Sequence, residues 1–132
     1  MLYSADTTPG IVCAGPYDPG SGACGERTLA LRIDDASPDG LCTDAAGNLW
    51  IAIWGAGRVR CYSPAGELCA TVSVPAPHTS SVAFVGPELD TLLITTATEE
   101  LSPEQLAKFP LSGRLFTARV GARGAPTEPW SQ

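Results

Sequence analysis

Apolar residues in this chain are gathered into short segments rich in Val, Ile, Leu, Thr and aromatics, with glycine and proline between them. That pattern predicts an all-β protein with many tight turns. The middle of the chain is the clearest case. Asp39-Gly40-Leu41-Cys42-Thr43-Asp44 reads as a strand, and the turn Ala45-Ala46-Gly47-Asn48 leads into a second, Leu49–Trp54. Gly55-Ala56-Gly57 leads into a third, Arg58–Tyr62, and Pro64-Ala65-Gly66 into a fourth, Cys69–Val74. The second strand, Leu49-Trp50-Ile51-Ala52-Ile53-Trp54, is apolar throughout, so it is expected to be covered on both faces. Only one segment reads as helical. Ser102-Pro103-Glu104-Gln105 offers an N-cap, a proline at the first helical position and a capping-box Gln105. Pro110 limits that helix to about two turns.

The four-strand unit repeats. Ser81–Val85, Thr91–Thr96 and Gly113–Ala118 match its first three strands, with the helix inserted before the last, and no clear fourth strand follows Val120. Upstream, Leu2–Ala5, Ile11–Ala14 and Leu29–Ile33 match the second to fourth strands, with the first absent. Four short strands in a repeat of about 40–45 residues are the signature of propeller blades. A β-sandwich accounts less well for the repeated turn grammar Asp-x-x-Gly-Asn-Leu-Trp. The expected organisation is an incomplete blade over residues 1–35, a complete blade over 36–75, an incomplete blade with a helical insertion over 76–126, and a tail over 127–132. Such units cannot bury their faces alone, and a closed propeller needs at least about four blades. The chain therefore reads as part of a propeller, either continued in a longer protein or completed by association.

Composition narrows the partners. The 132 residues are 44% hydrophobic and 17% charged, enough for a core and too little charge for disorder. Fourteen acidic against eight basic residues give a net charge of -6, with no basic stripe. Nucleic acid and anionic membrane surfaces are disfavoured partners on that ground. No apolar run approaches the roughly 20 residues of a membrane-spanning helix, and the N-terminus lacks the basic-then-apolar order of a secretory signal. Cysteines 13, 24, 42, 61 and 69 are odd in number and without Cys-x-x-Cys spacing. They read as free thiols, mostly small core residues, in a reducing compartment, which makes the cytoplasm the expected location.

Taken from the residues alone, Pro38-Asp39-Gly40 is a turn signal, and Asn48 is a turn residue suited to a left-handed backbone. Asp39 stands just before the complete blade's innermost strand, where loops ring the channel mouth of a propeller. His78, the single histidine, lies in a loop and reads as solvated; no Gly-x-Ser-x-Gly accompanies it. Glu99, Glu100 and Glu104 read as charges complementing a helix N-terminus rather than as a metal site. Trp54 reads either as core or as a ring that packs on a sugar at the channel mouth. Asp34 and Asp35 read as a solvated pair.

The motifs Ser37-Pro38-Asp39-Gly40-Leu41, Asp44, Gly47-Asn48-Leu49-Trp50-Ile51-Ala52, Trp54-Gly55, Gly57 and Arg58-Val59 resemble those of the senescence-marker protein/gluconolactonase/regucalcin family. Gly86–Leu92, Leu101–Glu104, Pro110–Phe116 and Val120–Pro126 are similar too, so the likeness runs from about Leu2 to Pro126. It implies the C-terminal half of a six-bladed propeller that hydrolyses sugar-acid lactones such as gluconolactone. It also implies one divalent cation in the channel of the complete fold, of the class Ca²⁺, Zn²⁺, Mg²⁺ or Mn²⁺. In the family that cation is held by a Glu from an early blade, an Asn from a middle blade and the Asp of Pro-Asp-Gly. Only the last maps here, making Asp39 the implied metal ligand and general base; no substrate-binding residue can be assigned. A chain with one ligand of three either holds the cation through Asp39 or holds none. The alternative to a lactonase is a non-catalytic partial propeller that binds or self-associates through its unpaired blade edges as a homo-oligomer.

Overall fold

The computed structural model describes residues 1–126. The tail expected over residues 127–132 lies outside them. Three antiparallel sheets follow one another along the chain. The first contains β1 (Leu2–Asp6), β2 (Ile11–Gly15) and β3 (Thr28–Arg32), in that order across the sheet. The second is a four-stranded meander of β4 (Ser37–Thr43), β5 (Leu49–Trp54), β6 (Arg58–Tyr62) and β7 (Leu68–Ser73). The third contains β8 (Thr79–Val85), β9 (Thr91–Thr96) and β10 (Leu115–Ala118), with the helix α1 (Pro103–Lys108) inserted before β10.

The sheets pack face to face, and β5 explains why. Leu49, Ile51 and Ile53 are buried with Val12, Leu31, Ile33 and Tyr62 between the first and second sheets. Trp50 and Ala52 point the other way and are buried with Val59, Cys61, Val74, Ala76, Val82, Leu92 and Ile94. Alternation along one strand thus feeds two cores, as the unbroken apolar run requires. Stacked sheets of this kind are successive blades of a β-propeller. The turns repeat as well. Gly10 before β2 and Gly57 before β6 both have positive φ, +67° and +59°. A Cβ on either would come within 2.7 Å of the Ile33 carbonyl oxygen or 3.0 Å of that of Val74.

The helix forms where expected and for the expected reason. Ser102 Oγ accepts from the Gln105 backbone N–H at 3.3 Å, and Gln105 Oε1 accepts from the Ser102 N–H at 2.9 Å. Several strand limits differ from the sequence reading. Both inner strands start earlier, β4 at Ser37 and β8 at Thr79, because a bulge lets pairing resume on its far side. β7 begins at Leu68 and ends at Ser73. Gly113, at φ +80°, is a turn residue, so β10 begins at Leu115. After Val120 the chain makes one isolated bridge, Gly124 with Asp44, back to the second sheet. Among the described residues no helix is long and apolar enough to cross a membrane.

Candidate functional site

β4 and β8 occupy the same place in consecutive sheets, and each carries a bulge at the same level. In β4 the register shifts between Pro38 and Leu41, so Asp39 and Gly40 together stand where the ladder needs one residue. In β8 it shifts between Thr79 and Ser81, which leaves Ser80 extra. Pro38 tolerates this place because the broken ladder asks nothing of its missing N–H. Gly40 is required by proximity: a Cβ there would lie 2.6 Å from Ser81 Cβ and 2.7 Å from Ser81 Cα. The two inner strands therefore lie close together at Gly40, next to Asp39. Bulges commonly re-aim side chains next to active sites.

Asp39 is half-buried. Burial pushes its pKa above the ordinary carboxylate value, and the Gly40 backbone N–H only partly offsets the rise. The neighbouring inner strand β8 carries hydroxyl side chains at its own bulge. Ser80 Oγ and Thr95 Oγ1 share a hydrogen bond of 2.7 Å. Thr79 is fully buried, and its hydroxyl reaches the carbonyls of Ile53 (2.6 Å) and Arg58 (2.9 Å), which pins the third sheet to the second.

Ser37, two residues before Asp39 at the start of β4, pairs across the ladder with Trp54, which stacks on His78 with ring centroids 4.2 Å apart and planes at 19°. His78 lies in the loop just before β8, half-buried, and its Nδ1 is 2.9 Å from the Glu99 carbonyl oxygen. Trp54 is likewise half-buried rather than in the core. Asp35 is not merely solvated, since Arg60 grips both its oxygens at 2.8 and 2.9 Å. That pairing holds the Asp35 carboxyl below its usual pKa. Glu104 lies in the first turn of α1 and accepts from Ser102 Oγ, in keeping with a capping role.

Asp44 and Asn48 lie at the other end of β4 and form a structural node. Asn48 is not the left-handed residue of its turn; Gly47 is, at φ +83°. Asn48 instead donates its side-chain amide to Asp44 Oδ2 at 2.8 Å, beside Trp50 Nε1–H at 3.0 Å. The Ala46 and Asn48 backbone N–H groups bond Asp44 Oδ1, each at 2.9 Å. Burial raises the Asp44 pKa, but these four donors outweigh it and leave the pKa below the ordinary value.

A hard cation such as Ca²⁺ takes about six to eight oxygen ligands, several of them carboxylate. Among the described residues no three His, Cys, Asp or Glu side chains come together to hold a metal. These residues do not by themselves make the cation site the resemblance implies.

The SMP-30/Gluconolactonase/LRE-like region matches residues 1–98 of the chain. The 6-deoxy-6-sulfogluconolactonase of Pseudomonas putida is 38% identical over 92% of this chain and 43% of its own length. Regucalcin of Danio rerio is 34% identical over 96% of this chain and 44% of its own. Among solved structures, a calcium-binding regucalcin from Agrobacterium tumefaciens superposes with a TM-score of 0.90 and 28% identity, over 98% of this chain and 45% of that one. The chain spans less than half the length of these relatives.

Proposed function

Because the chain belongs to the SMP-30/gluconolactonase/LRE-like family, we propose that it is the C-terminal half of a sugar-lactone hydrolase and that Asp39 serves the hydrolytic step. The observation that carries this reading is Asp39 itself: a half-buried carboxylate on a bulge, where two inner strands meet, with its pKa raised by burial. Hydrolysis adds water to the lactone carbonyl and breaks the ring C–O bond. Asp39 takes a proton from the attacking water and returns it to the departing ring oxygen, leaving a hydroxy acid. A raised pKa makes the carboxylate a better base at neutral pH. The full site draws its other ligands from outside the described residues. The five unpaired cysteines support a reducing, cytoplasmic setting.

A second reading, a non-catalytic propeller section that self-associates, is favoured by the single carboxylate and by exposed Leu29 and Leu115 on the outer sheets. One assay separates the two: hydrolysis of gluconolactone by the purified chain over a range of protein and divalent-metal concentrations, with the spontaneous rate subtracted. The lactonase reading expects turnover that falls by about 100-fold or more in Asp39→Asn. Turnover indifferent to that substitution removes Asp39 from the mechanism. No turnover at any concentration leaves the binding reading.

A further inference from the structure

Trp54 and His78 are fastened together by more than their stack. The His78 carbonyl accepts from the Ala97 N–H at 2.9 Å, and the His78 ring reaches the Glu99 carbonyl two residues further along. The neighbouring Thr79 hydroxyl, bonded to the Ile53 carbonyl, holds residue 78 against the end of β5. A carbonyl oxygen can only accept, so Nδ1 carries a hydrogen. In the neutral ring Nε2 is then a bare acceptor. Among the described residues neither His78 Nε2 nor Trp54 Nε1–H has a hydrogen-bond partner, in contrast to Trp50 Nε1–H, which is spent on Asp44. A rigid stack that presents one unused donor and one unused acceptor has the chemistry of a hydroxyl reader. A hydroxyl group accepts from the first and another donates to the second.

We propose that the Trp54–His78 pair binds the hydroxyl groups of a polyhydroxylated ligand and so orients it at the end of β4 that carries Ser37 and Asp39. The identity of that ligand as a sugar acid or its lactone rests on the hydrolase reading above; the hydrogen-bonding chemistry of the pair does not. Both residues are binding residues, and neither takes part in bond breaking. One face of Trp54 is covered by the imidazole, so recognition runs through the ring edges.

His78 is the only histidine, so its ring gives the only imidazole signals in a long-range ¹H–¹⁵N spectrum of the full chain. Without ligand the expected pattern is a protonated Nδ1 and a bare Nε2. Glucitol, which has hydroxyls and no carboxylate, is expected to move the His78 Nε2 signal and the Trp54 indole signal together, and gluconate to move both in the same way. Each of Trp54→Phe and His78→Phe keeps an aromatic ring; the first deletes the indole N–H, the second deletes Nε2 together with the Nδ1 held by the Glu99 carbonyl. Each is expected to weaken glucitol binding about three- to ten-fold, the worth of one neutral hydrogen bond. In any turnover they should raise KM and spare kcat. A ring protonated at Nε2 in the free chain overturns the proposal. So does a response to gluconate without one to glucitol, or a glucitol response at Gly40 and Ser81 with both rings unmoved, or no response at either ring. Turnover unaffected by both substitutions overturns it while leaving the hydrolase reading in place. Glucitol bound at the pair in a chain without turnover supports it and counts against the hydrolase reading.

Discussion

Asp39, within β4, and Asp44, just beyond its end, are two carboxylates whose surroundings push them in opposite directions. Asp44 is 4% exposed and has four donors, so it is ionised in the folded chain and its pKa is lowered. In the unfolded chain it binds a proton more readily, so its contribution to stability is present above the ordinary carboxylate pKa. That contribution is lost as pH falls through the lower folded value. Asp44→Asn turns an amide donor toward the donors of Asn48 and Trp50, and is expected to cost about 2–4 kcal/mol in urea unfolding at pH 7. The same variant should lose less stability than the parent on acidification below pH about 4. Asp39 runs the other way. Its folded pKa is raised, so ionisation at neutral pH opposes folding, and Asp39→Asn is expected to raise Tm at pH 7 while abolishing turnover. A lowered Tm would mean that the carboxylate is held by attractive partners rather than by burial. The thiols divide on the same principle. Burial pushes Cys42 and Cys61 up to about 11, while Cys24 and Cys69 are exposed. A thiol-specific reagent on the native chain should therefore modify Cys24 and Cys69 first, with Cys42 and Cys61 reacting only on unfolding.

Among the elements, the bulged inner strands are where local sequence and tertiary contact meet. Gly40 has no positive φ to explain it; its reason is the neighbouring strand. Gly40→Ala is expected to force β4 and β8 apart at a cost of about 1–3 kcal/mol, measured by chemical denaturation, and to disturb Asp39 at the same time. Thr79→Val keeps the shape and removes the hydroxyl that links the third sheet to the Ile53 and Arg58 carbonyls of the second. The helix behaves differently. None of its residues is buried, so it depends on its own caps. Ser102→Ala should fray α1 for about 1 kcal/mol or less and leave the sheets intact, as amide exchange confined to Glu104–Phe109 would show.

For the molecule as a whole, the returning segment after β10 does more than its lack of regular structure suggests. The Gly124 N–H bonds the Leu89 carbonyl at 2.8 Å, and the Arg123 carbonyl accepts from the Ala45 N–H at 2.8 Å, so one short stretch ties the third sheet to the second. Gly124 is buried, and a Cβ there would press on the Phe84 ring, 2.9 Å from its Cγ. Gly124→Ala is expected to cost about 1–3 kcal/mol in denaturant unfolding. Arg123→Ala, one residue away, removes only an ion pair with Glu88 whose two side chains are both 65% exposed, and should cost less than about 1 kcal/mol. Equal losses from the two would mean that the ion pair, not the backbone tie, closes this edge.

The sequence by itself determined the features that depend on neighbours a few positions apart. The apolar run of β5, the turn glycines and the Ser102–Gln105 cap each carry their instruction within a short window, so the all-β repeat and the single helix were legible. The early starts of β4 and β8 were not, because a bulge is set by how two sheets meet rather than by either strand's own pattern. Asp39 stood out through its motif alone; its burial, and the closeness of the adjacent Gly40 to Ser81, exist only in the folded chain. The Trp54–His78 stack and the Arg60–Asp35 pair were also decided only in three dimensions. Each joins residues more than twenty positions apart, and no local preference encodes such a contact until burial of the two faces of β5 has fixed the sheets against each other.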